Sequence, residues 1–227
     1  MPEHRDVNYH WYNRVRIHIP VITNSNVLFY CGDTHVHMEA GEAWIFDSWK
    51  KHRVENNSDQ SRVHLVIDTA GSAKFWKDVA ASEWRDATQV LKPASISDQY
   101  IPFERDNDAV ILTENYNAPL VMHPGEIDAL TIDIIHDMQA CPSNPGPPMR
   151  AFERTMHEFR QDWRRLWSLY GQSEKGWIHY ENLIRHIQLP RAHLMLASNQ
   201  GSAAHTFGAR VLMAALSVSL AEQYAQD

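Results

Sequence analysis

Residues 14–22 read RVRIHIPVI and residues 62–69 read RVHLVIDT. Both alternate with a period of two. In the first, Val15, Ile17, Ile19 and Val21 share one face, and Arg16 and His18 the other. In the second, Val63, Leu65 and Ile67 oppose Arg62, His64 and Asp68. Side chains at i and i+2 of a strand point the same way, so each stretch predicts a strand with one apolar face and one face of cations and imidazoles. Between them, residues 26–31 form another short strand, closed by Gly32-Asp33. Residues 36–39 and 42–47 add further strands about Ala40-Gly41. Many short strands at close spacing predict a sandwich or jelly roll.

After Ala70-Gly71-Ser72 the period lengthens to that of a helix. Ser72 is placed to cap a helix through residues 74–91, stopped by Pro93. Residues 93–124 carry no clear period. Residues 124–139 predict a helix, with proline early and Glu126 and Asp128 in the first turn. CPSNPGPPM, 141–149, predicts a proline-rich linker. Residues 151–170, 177–187 and 203–224 are helical in pattern, the last apolar on most sides and so buried. The chain therefore divides into a β core at 1–72 and a mostly helical region at 73–227.

At 227 residues there is room for one large domain or two small ones. A net charge of −7 argues against nucleic acid or an anionic membrane as the main partner. No run of 18 apolar residues exists to span a bilayer, and MPEHRDVNYH has no apolar signal region. Cys31 and Cys141 make no disulfide framework or zinc finger, which fits a reducing, cytoplasmic setting. Fourteen histidines are many for this length, and imidazole is the commonest transition-metal ligand.

Their spacing singles out His4-Arg5-Asp6 and then His52. On an extended segment the i, i+2 pair aims one imidazole and one carboxylate at the same point. A histidine from a distant strand completes a facial triad of two imidazoles and one carboxylate, the set that leaves three positions open on a non-haem iron(II). The short pair alone has high false-positive risk. Arg62 follows His52 by ten residues on an alternating strand. A 2-oxoglutarate that chelates iron through its keto and C1 carboxylate oxygens leaves a far carboxylate. A planar, permanently charged guanidinium suits that group. Arg16 and His18, on the polar face of the earlier strand, are placed to hold the C1 end.

RVRIHIPVITN, HMEAGEAWIFD, KHRVEN and RVHLVIDT together resemble the aspartyl/asparaginyl β-hydroxylase family and its bacterial proline hydroxylase relatives, over residues 2–72. By that resemblance His4, Asp6 and His52 bind iron, and Arg62 holds the distal carboxylate of 2-oxoglutarate. Arg16 and His18 match the R-x-H pair at its other end. The peptidyl enzymes lack the carboxylate ligand, so Asp6 gives the proline hydroxylase pattern. The implied fold is a double-stranded β-helix (jelly-roll or cupin-like) core followed by a mostly helical C-terminal region. The implied activity is that of an iron(II)/2-oxoglutarate dioxygenase hydroxylating an amino acid, free or within a peptide.

In the family the first iron ligand follows a substantial N-terminal region. Here it is residue 4, so the core is expected to lack its first strands. His4 and Asp6 are then expected to have no flanking strand, and the exposed sheet edge to favour poor solubility or a homo-oligomer.

Other readings stay open. His35, His37, Glu42, His52 and Asn56 echo the HxH…E…HxxxN set of cupins, a metal enzyme without 2-oxoglutarate. A non-catalytic jelly roll that binds a partner through its helices is a third. His64 reads as filler on Arg62's face, and His10, Trp11 and Tyr12 as packing near a substrate mouth. Trp163, Trp167 and Tyr170 read as a helix core stripe. His136, His157, His179, His186 and His193 show no metalloprotease arrangement.

Overall fold

The alternation at residues 14–22 becomes strand β1 (Val15–Ile22), and that at 62–69 becomes β6 (Val63–Thr69). In this computed structural model, which describes residues 1–82 and 119–217, the two strands pair antiparallel from Val15↔Thr69 to Ile22↔Val63. The register shifts between Pro20 and Ile22, where proline has no N–H to give to the ladder. β4 (Trp44–Ile45) lies on the other side of β1, giving the order β4-β1-β6. A second three-stranded antiparallel sheet has the order β3-β2-β5, with β2 at Val27–Cys31, β3 at Thr34–Val36 and β5 at His52–Asn56.

Among the described residues the chain forms two compact units. One holds 1–4, 14–47 and 51–82, and the other 5–13, 48–50 and 119–217. In the first, Val27, Phe29, Met38 and Val54 are buried, with Cys31, Val36, Trp44 and Phe46 packed against them. The face of β1 and β6 that turns inward is the polar one. His18 is buried, whereas Val21 and Leu65 on the apolar face are exposed at 56% and 52%. Burying imidazole while exposing leucine costs free energy, which marks this face as a candidate site. The chain leaves β6 through Gly71, whose φ of +74° is left-handed and open to glycine without a Cβ penalty. Ser72 then caps α1 (Ala73–Ala81) by accepting from the Phe75 N–H. The remainder of the helix expected to residue 91 lies outside the described residues.

The second unit is helical: α2 (Pro124–Gln139), α3 (Gly146–Tyr170), α4 (Glu174–His186) and α5 (Ala203–Phe207). A π-helical turn at Gly208–Leu212 and α6 (Met213–Ala215) follow. Ile127, Leu130, Ile134 and Met138 of α2 form the apolar stripe expected of a packed helix, and it is buried with Phe152, Met156, Phe159 and Trp163 of α3. Trp163 is fully buried and its Nε1–H donates to the Met122 carbonyl at 2.9 Å. Trp167 and Tyr170 pack against the same core, so that stripe is structural.

Two sequence expectations are corrected. The linker is shorter than 141–149, because Gly146-Pro147-Pro148 is the first turn of α3, where backbone N–H groups have no partner to lose. The helix expected over 203–224 is interrupted by the π turn and goes extended at Leu216, which bridges to Val121; residues from 218 lie outside the described residues. No helix among the described residues is long and apolar enough to cross a membrane.

Candidate metal centre

His4 is held by a strand. Its N–H donates to the His52 carbonyl at 3.1 Å, and the His52 N–H donates back to His4 at 3.0 Å. The Val54 N–H donates to Met1 at 3.3 Å, so residues 1–4 run antiparallel along β5. This corrects the expectation that His4 and Asp6 would have no strand beside them. Asp6, two residues on, is fixed by its own N–H, which donates to the Ser48 carbonyl at 2.9 Å.

The consequence is convergence. One ligand atom from each of His4, Asp6 and His52 lies within 4.8 Å of the others. The two imidazole centroids are 4.2 Å apart, and His52 is only 2% exposed. Nδ1 of His4 is 2.9 Å from the Pro2 carbonyl. A carbonyl only accepts, so Nδ1 is the donor there and Nε2 is the nitrogen left to face a metal. Two imidazoles and a carboxylate at this separation fit one octahedral metal and leave it open positions.

Among the described residues no other three such side chains come together. The cupin set does not assemble. His37 Nδ1 is bonded to the Val27 carbonyl, His35 lies against the Tyr30 ring, and Glu42 accepts from the Trp44 indole and the Glu39 N–H.

From His52 a line of rings continues between the two sheets. Phe46 and Phe29 lie 4.9 and 6.1 Å from His52, and His18 of β1 lies 5.4 Å from Phe46 and 5.7 Å from His64 of β6. Both ring nitrogens of His18 are buried with no hydrogen-bond partner in the structure. Burial drives its pKa down to about 4, helped by His64, Arg62, Arg16 and His52. Burial and then Arg62 push His64 to about 4 as well. Both rings are therefore neutral near pH 7.

Arg62 Nε and Nη2 each lie 2.9 Å from a ring nitrogen of His64, but a neutral imidazole has only one acceptor nitrogen. Burial lowers the Arg62 pKa. No carboxylate pairs with its guanidinium among the described residues. Arg62 and His64 line a small recess with Thr23, Val27, Phe29 and Met38, and the Thr23 hydroxyl is buried without a partner. The Arg62 guanidinium, the His64 ring and the Thr23 hydroxyl thus face one small recess, with no carboxylate among them.

Arg16 is placed differently. Its Nε and Nη2 donate to the two carboxylate oxygens of Asp68, its register partner on β6, at 2.9 and 3.1 Å. Of the polar residues here, Thr23 is not singled out by the sequence, and His64 reads there as filler. His64 shares Arg62's period-two face, which was the available signal. Thr23 lies beyond the end of β1, and no pattern marked it.

No curated protein matches the chain. The family model of aspartyl/asparaginyl beta-hydroxylase matches residues 1–71, the stretch that carries the three converging side chains and Arg62. Over residues 1–71, about a third of its length, the chain is similar to the aspartyl/asparaginyl beta-hydroxylases.

Proposed function

We propose that the chain is an iron(II)- and 2-oxoglutarate-dependent dioxygenase that hydroxylates an amino acid, free or within a peptide. The observation that carries this reading is the convergence of His4, Asp6 and His52 within 4.8 Å. Bound there, iron(II) would supply O₂ activation for insertion of oxygen into a C–H bond, coupled to decarboxylation of 2-oxoglutarate to succinate and CO₂.

The protein's own contribution follows from the residues around that point. His4 and His52 offer neutral nitrogens and Asp6 an anionic oxygen, which together balance most of a dication's charge. Arg62 binds the far carboxylate of 2-oxoglutarate through two parallel N–H donors, replacing its contact with His64. The Thr23 hydroxyl adds a third donor to the same carboxylate. Phe29 and Phe46 line the path between the two ends and keep water from it. His18, neutral and without a partner, is the group free to meet the other end of the co-substrate. With Arg16 tied to Asp68, that task rests on His18. Asp6 supports the proline hydroxylase side of this reading, where a carboxylate ligand is present. Within this reading the two sheets are the core of a double-stranded β-helix, and a reducing cytoplasm is the natural setting for the iron(II) site.

The test is succinate release from 2-oxoglutarate with and without added iron(II), in the wild-type chain and in His52→Ala and His37→Ala. Iron-dependent succinate that His52→Ala abolishes and His37→Ala preserves is the expected result. Succinate that survives His52→Ala, or that depends on His37, would overturn the assignment.

A further inference from the structure

We infer that Arg210, 204 positions after Asp6 in the sequence, is a positioning residue for the Asp6 carboxylate; the inference rests on the metal-centre reading above. Arg210 is only 2% exposed and sits in the π-helical turn at Gly208–Leu212. Its Nε–H points at the Val7 carbonyl at 3.5 Å, and its Nη1–H donates to Asp133 at 3.1 Å. The guanidinium plane lies over Trp49 at 4.3 Å and Tyr12 at 5.0 Å, and those two rings stack on each other at 6.3 Å.

These contacts fall on the segments that flank Asp6. Val7 is its next residue, and Trp49 is next to Ser48, whose carbonyl accepts the Asp6 N–H. On the other side, Arg5 donates to the Asn199 carbonyl at 2.9 Å. The Tyr9 hydroxyl donates to Glu126 of α2. Asp6, Val7, Tyr12, Trp49, Asn199 and Arg210 all belong to the same compact unit. The chain is thus held on both sides of Asp6, by Arg5 on the Asn199 carbonyl before it and by Arg210 and Glu126 on Val7 and Tyr9 after it.

The chemistry of Arg210 argues that this grip is its purpose. A buried guanidinium is costly, and an apolar side chain of similar volume usually serves stability as well or better. Among the described residues its bonded carboxylate is Asp133, whose side chain is 45% exposed, so the pair is no sealed ion pair. What methionine or leucine could not provide there is a planar donor that reaches a backbone carbonyl while stacking on two aromatic faces. A π turn, which widens the helix by one residue and recurs at functional sites, brings that plane to residue 7.

The test is Co(II) titration of the full chain, followed by its visible absorption, in wild type, Asp6→Asn, Arg210→Met and the double variant. Arg210→Lys is the second variant and carries the test if Arg210→Met does not fold, because it keeps the charge opposite Asp133 but loses the fork. Groups that orient a metal ligand are worth about 10–100-fold in affinity. Arg210→Met or Arg210→Lys should weaken Co(II) by about 10-fold or more. Combined with Asp6→Asn, either should cause no further loss, because the effect runs through Asp6. A folded Arg210 variant with wild-type Co(II) affinity would overturn the inference. So would losses that add in the double variant, since a general packing role adds. Failure of the metal-centre reading looks different: Asp6→Asn itself would leave Co(II) affinity unchanged.

Discussion

Replacing Arg62 separates two effects that the wild-type side chain combines. Its guanidinium is half-buried, desolvated enough to lower its pKa, and faces His64 in place of a carboxylate among the described residues. An uncompensated cation of this kind costs the ligand-free fold stability. Arg62→Met keeps the length and volume and removes the charge, so without co-substrate it should melt at or above the wild-type temperature. With co-substrate the order reverses. A carboxylate accepting two charge-assisted bonds from the fork gains about 1.5–3 kcal/mol from each. Loss of one, in Arg62→Lys, is then worth roughly 10–100-fold in 2-oxoglutarate affinity, and loss of both, in Arg62→Met, more than about 100-fold. The assay is thermal unfolding with Mn(II) in place of iron(II), across a 2-oxoglutarate series. At a free concentration 100 times its Kd, 2-oxoglutarate should stabilise the wild type by about 2.7 kcal/mol and leave Arg62→Met unmoved. A shift in Arg62→Met equal to the wild-type shift would refute the role given to this arginine.

Acid should destabilise the β unit through His18 and His64. Both are held near 4 in the folded chain, against about 6.5 when unfolded, so between those values the unfolded chain binds protons that the folded chain refuses. Stability is full above about pH 6.5 and falls toward pH 4, by on the order of 2 kcal/mol after allowing for solvent around His64. Urea unfolding of wild type and His18→Leu at pH 7 and pH 4.5 checks this, and equal pH dependence in the two would contradict it. In the helical unit, Trp163→Ala removes a fully buried side chain and its bond to the Met122 carbonyl. It should cost about 3–5 kcal/mol, read by denaturant unfolding, and a loss under about 1 kcal/mol would show that the core closes around the gap.

Strands β1 and β6 were legible because their period of two is unbroken over seven or eight residues. That the polar face turns inward came from the family resemblance, which gave Arg16, His18 and Arg62 to the co-substrate; alternation alone leaves the buried face undecided, since burial of apolar side chains is the default. The start of α3 was misread for a local reason. Proline at 147 and 148 is equally at home in a linker and in a first helical turn, and only the packing of Phe152 and Met156 decides between them. The triad was legible in part because His4 and Asp6 are two apart on an extended segment. That residues 1–4 lie on β5 is a tertiary pairing no local pattern encodes. Arg210 and Thr23 escaped notice for the same reason: each lies beside residues far from it in the chain.

The most direct measurement is an anomalous difference map at the iron edge, from crystals grown anaerobically with iron(II) and 2-oxoglutarate. The account predicts one strong peak within bonding distance of His4, Asp6 and His52, with the far carboxylate of 2-oxoglutarate on Arg62. A peak on His35, His37 or Glu42, or a 2-oxoglutarate whose far carboxylate lies away from Arg62, would contradict it.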